Sequence, residues 1–275
     1  MNIHSRNNSE ARSPARAGLT LIKLVVVIAI LAALAALIVP RLNGVTKQAD
    51  AATKMDFVAE TNKAVTTFET RNRRHAATWD NLVPVSGTAL FSKLNPGLVP
   101  KLKVITLDAV QAKSLTDAGI TGAMTVSESA TTLPSDAAVT DYTAVANGAS
   151  FPAVVKETTW AGHGSTFLDR AFNVLPTFSM GGNGMTVTPP TGEFIVLGIG
   201  QSSSLRGSVM TDAAIVPAAD PTRYYARMLC VYKIPAAGAS GGFPAQYIGS
   251  FMPDGTSAKD NSDTYLTSVT AGVNN

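Results

Sequence analysis

From Leu24 to Val39 the chain places sixteen consecutive residues that are all Leu, Val, Ile or Ala. A helix apolar on every side must be buried somewhere, and this constrains the chain more than any other feature. Leu19, Leu21 and Ile22 carry the apolar character backward. The stretch from Leu19 to Val39 then falls within the roughly 17 to 25 residues a membrane-spanning helix needs. It predicts a transmembrane segment, with Lys23 close enough to one end to snorkel. Arginines upstream predict a cytoplasmic N-terminus. The expected localisation is therefore that of a single-pass inner-membrane protein whose C-terminal domain is extracytoplasmic.

Composition agrees with an envelope or secreted protein: 45% of the residues are hydrophobic and only 15% charged, against about a quarter charged in an average domain. The formal charge is +3, and Arg6, Arg12 and Arg16 against Glu10 place most of it in the first eighteen residues. The body is nearly neutral, with no basic patch interleaved with aromatics, which excludes nucleic acid as a partner. Cys230 is the only cysteine, so neither an intrachain disulfide nor a cysteine-based zinc cluster can form.

Three regions follow. Residues 1–18 read as a basic leader, 19–75 as one long helix, and 76–275 as a β-rich globular domain. Beyond Pro40, which should kink the helix without ending it, Phe57, Thr61, Ala64, Val65 and Phe68 recur at helical spacing. They make one apolar stripe fit to lie on a folded domain. Asp50 and Lys54 are spaced for an i, i+4 ion pair. After His75 the texture turns to Gly, Pro, Ser and Thr between short apolar runs. Asp108 is placed to cap a short helix over 109–118 that Gly119 closes. Strands are predicted over 194–199, 224–234 and 245–251. In the middle one Tyr224, Ala226, Met228, Cys230, Tyr232 and Ile234 alternate with Arg227 and Lys233, which predicts an antiparallel sheet with one buried and one wet face. Residues 127–190 carry no clear pattern, and there is no internal repeat.

The segment Gly18-Leu19-Thr20-Leu21-Ile22-Lys23-Leu24-Val25-Val26-Val27-Ile28-Ala29-Ile30-Leu31 resembles the prepilin cleavage and methylation motif of type IV pilins and type II secretion pseudopilins. The likeness is close over about 24 residues and looser over about 55. It implies an α+β, pilin-like fold, a long N-terminal transmembrane and amphipathic helix packed on an antiparallel sheet. It also implies cutting by a prepilin peptidase between Gly18 and Leu19, methylation of Leu19, and a structural role in which the chain leaves the inner membrane to assemble with other pilin or pseudopilin subunits into a type IV pilus-like or type II secretion filament of the envelope or surface. Pro40 stands where such helices often carry a proline, and Trp79-Asp80-Asn81-Leu82-Val83-Pro84 looks like the turn into the globular part. The leader is longer than many in that family. Lys23 occupies the position at which the family usually has glutamate, the residue thought to meet a neighbour's terminal amine, so the lysine implies a minor or tip component.

Other readings compete. Ala33-Leu34-Ala35 provides a signal-peptidase-like site, and a signal-anchored binding module that does not polymerise is the alternative function. Gly238-Ala239-Ser240-Gly241-Gly242 fits a nucleophile elbow, but no histidine follows it. His163 lacks a carboxylate or cysteine at ligand spacing, and Gly198-Ile199-Gly200 lacks the third glycine of a phosphate loop. No catalytic triple can be assembled, so an enzyme is not expected. No cofactor is expected either, with one exception: Asp254, Asp260 and Asp263 supply hard oxygen ligands within ten residues, and some pseudopilins that the chain resembles hold calcium in a C-terminal loop.

Overall fold

The computed structural model describes residues 14–84, 87–126, 139–156, 167–181, 184–213, 215–216 and 220–273. Helix α1, Pro14–Asn72, runs without a break through Pro40. Its second half is held by the stripe the sequence predicts: Val58, Thr61, Val65 and Phe68 are buried and Phe57 and Ala64 half-buried. The Asp50–Lys54 pair forms at 3.3 Å.

The chain then lays down β1 (Thr78–Asn81), β2 (Leu102–Thr106), α2 (Ala109–Asp117), β3 (Gly122–Val126), β4 (Val139–Ala144) and β5 (Ser150–Val154). There follow α3 (Phe167–Phe172), the hairpin of β6 (Thr177–Gly181) and β7 (Gly184–Thr188), then β8 (Glu193–Gly198), β9 (Leu229–Ile234), β10 (Gln246–Phe251) and α4 (Ala258–Val273). Helix α2 begins and ends as its sequence predicts. Asp108 accepts the Gln111 N–H at 2.8 Å while the Gln111 side chain returns to the Asp108 N–H at 3.1 Å, a reciprocal cap. Gly119, at φ +99°, turns the chain so that Ile120 N–H reaches the Leu115 carbonyl.

Two expectations about architecture are corrected. The first concerns the sheet, which is mixed rather than antiparallel. Its spine runs β10-β9-β8-β1-β3-β4, with β5 joining β8 and β2 together. Strands β1 and β3 pair in parallel, from Thr78 opposite Gly122 to Asn81 opposite Thr125. The connection between them contains α2, and a long crossover of that kind is what lets two strands run the same way. Nor is one face wet. In β9, Cys230, Tyr232 and Ile234 pack with Trp79, Val65 and Phe68, while Leu229 and Val231 on the other side pack with Phe91, Phe194 and Phe251. This strand starts at Leu229 rather than Tyr224, and Arg227 just before it is buried.

The second correction concerns the membrane. Among the described residues no helix is long and apolar enough to cross a membrane. The transmembrane, pilin-like architecture read from Leu19 to Val39, and the single-pass inner-membrane localisation built on it, are overturned by this finding.

Helix α1 is fastened to the sheet at Asn62. Its Oδ1 accepts the Tyr247 hydroxyl at 2.6 Å and the Ser250 N–H at 2.9 Å, with the Ser250 hydroxyl 2.7 Å away. Asn62→Ala leaves these donors on β10 without their acceptor and should cost about 1–3 kcal/mol. Urea unfolding of the full chain checks this, and an unchanged midpoint would show that the amide is not a fastening.

Candidate functional site

The first half of α1 has the opposite character. Leu21, Ile22, Leu24, Val25, Val26, Val27, Ile28, Ile30, Leu31 and Leu34 are each 50–64% exposed. Soluble monomers rarely expose apolar patches beyond a few hundred Å², and here the apolar surface runs all the way round the helix. Lys23 is the single ionisable residue between Ala17 and Pro40, and it too is exposed. Gly18 and Leu19 lie in the first turns of α1, by backbone. Such a surface holds no nucleophile, base or ligand set. What it can do is be covered.

The three aspartates read as calcium ligands do not converge. Among the described residues no group of three or more His, Cys, Asp or Glu is placed to hold a metal ion. Asp254 pairs with Lys54 at 3.1 Å. Asp260 and Asp263 share Arg170 of α3, at 2.7 and 3.0 Å. Asp260 and Asp263 lie in the first turns of α4, and Asp254 in the turn that leads into it. Ser257 caps α4, its hydroxyl accepting the Asp260 N–H at 3.2 Å while Asp260 accepts the Ser257 N–H at 2.9 Å. The signal was present as Ser-x-x-Asp ahead of Tyr265 and Leu266. Helix α4 packs along α1.

Reasoning from sequence also missed a buried polar tie. Asp80 accepts the Tyr225 hydroxyl at 2.8 Å, both residues being almost wholly buried. Burial first, and then the Asp80 charge, push the Tyr225 phenol well above its ordinary value. Gly198 and Gly200 lie against this pair, because a Cβ at either would collide with the Tyr225 hydroxyl or the Asp80 carboxylate. That packing accounts for the Gly198-Ile199-Gly200 sequence. Gly238 belongs to the loop between β9 and β10, where its N–H is held by Asp108 at 2.8 Å. His163 lies outside the described residues. Compared with known proteins, the chain matches no family model, no curated protein and no solved structure.

Burial acts to raise the Asp260 carboxyl, but the Ser257 N–H and hydroxyl together with Arg170 outweigh it and hold the group below its ordinary value. A depressed carboxyl contributes stability that is complete above its unfolded value of about 4 and is lost as pH falls through the folded one. Arg170→Ala should therefore cost about 1 kcal/mol at neutral pH, allowing for solvent screening, and flatten the loss below about pH 4. Thermal unfolding across pH reads both effects.

Proposed function

We propose that this chain is a structural subunit of a filament of the pilin or pseudopilin kind. In this reading the first half of α1 packs into a bundle with the corresponding helices of other subunits, and residues 76–275 form the coat. The observation that carries it is the exposure of ten large apolar side chains on one unbroken helix whose second half is firmly built into a folded domain. The chain's own fold buries the second half of the helix and leaves 21–36 uncovered. Helices of like kind are natural occupants, since apolar side chains and small alanines let neighbouring rods approach closely.

Processing fits the same reading. A small residue at the scissile position, Gly18, followed by Leu19, suits a prepilin peptidase, and removal of residues 1–18 takes Arg6, Arg12 and Arg16 away from the end of the rod. Lys23 supports a place as a minor or tip component, because two such lysines brought together in a poorly solvated bundle repel by a few kcal/mol at an intermediate effective dielectric. The role is mechanical rather than enzymatic, and Asp254, Asp260 and Asp263, occupied by protein cations, are read as part of the scaffold.

Mass spectrometry of the mature chain should find Leu19 at the N-terminus, bearing one added methyl group on its amine. A terminus near Ala36 would remove the reading, since the apolar helix would then be discarded.

A further inference from the structure

Lys23 shows what kind of helix must cover it. No aspartate or glutamate occurs from residue 11 to residue 49, while Arg12, Arg16, Lys23, Arg41 and Lys47 all fall there. The nearest carboxylate downstream is Asp50, about 40 Å further along the helix at 1.5 Å per residue, and it is already paired with Lys54 at 3.3 Å.

Consider two copies of this chain lying against each other with at least half of the segment 21–36 covered. Laid parallel or antiparallel, Lys23 of one copy faces somewhere in positions 15–42 of the other. The ionisable groups there are Lys23, Arg41 and either Arg16 or, once residues 1–18 are removed, the terminal amine of Leu19, all of them cations. No such pairing therefore offers the ammonium a carboxylate. A charge taken out of water without a partner is penalised heavily, whereas one that meets a carboxylate is tolerated.

We infer that the helix covering Lys23 belongs to a different chain, one that carries an aspartate or glutamate within its own apolar run. This rests on the filament reading and narrows it: the charge pattern selects a charge-matched, heteromeric neighbour and disfavours a second copy. Val26 and Val27, three and four residues on, share the helix face of Lys23 and are exposed.

The test is a photo-reactive residue at Val26 or at Val27 in the full chain, made in the cells that natively produce it. Cross-linked peptides are then sequenced from isolated filaments. The expected peptide comes from another chain and contains Asp or Glu inside an apolar run. Lys23→Glu should lower its yield roughly tenfold or more, and replacing that partner carboxylate by lysine alongside Lys23→Glu should restore it. Cross-links between two copies, cross-links to an acid-free apolar run, no cross-link within filaments that contain the chain, or a yield indifferent to Lys23→Glu would each overturn the inference while leaving the filament reading standing. Absence of the chain from any filament would overturn both.

Discussion

The organisation of this molecule depends on one helix with two unlike halves. From Ala51 onward α1 has a home: Val58, Val65 and Phe68 enter the core beneath it, Asn62 is bonded to β10, and Lys54 reaches Asp254. Over 21–36 the same helix presents Leu, Val, Ile and Ala on all sides to solvent. Apolar burial is the main favourable term in folding, so the exposed half is a store of association free energy that the chain's own fold does not use. Because the helix is continuous from one half to the other, whatever covers the first is joined directly to the domain carried by the second.

The domain is built to hold that helix. Strand β9 sits between two cores, so its residues are gripped from both faces, and Tyr232 meets His75 and Trp79 edge-on at 5.0 and 5.4 Å. His75 closes the junction, its N–H on the Ala118 carbonyl and its Nε2 3.1 Å from the Ala245 oxygen. Helix α4 then returns to lie on α1, held at its start by Arg170 and by its own cap. These ties join segments remote in sequence, which favours a cooperative domain and a stiff mount for the helix.

Local features were legible in the sequence. The stripe from Phe57 to Phe68, the Asp50–Lys54 pair, the Asp108 cap with its Gly119 stop and the existence of strands within 194–199, 224–234 and 245–251 follow from spacing and capping chemistry alone. What was not legible depended on distant partners. The Trp79–Pro84 segment resembles a turn, yet its first three residues belong to β1, Thr78–Asn81, because β3 and β8 come to the two sides of that strand. Arg227 suggests a wet face, yet it is buried just ahead of β9, a strand covered on both sides. The aspartates near the C-terminus resembled a ligand set because their cations, Lys54 and Arg170, lie 200 and 90 residues away. The membrane reading failed for a different reason: apolar content measures the need for burial and does not name what buries.

The central claim is that 21–36 is covered by other helices when the protein does its work, and solvent access to that segment tests it directly. A single cysteine at Val27 or Leu31 provides the probe, and the native Cys230, buried in the core, contributes little background. The account predicts that a thiol reagent labels either position readily in dispersed subunits and at least ~tenfold more slowly in filaments. Equal labelling in both states would contradict it.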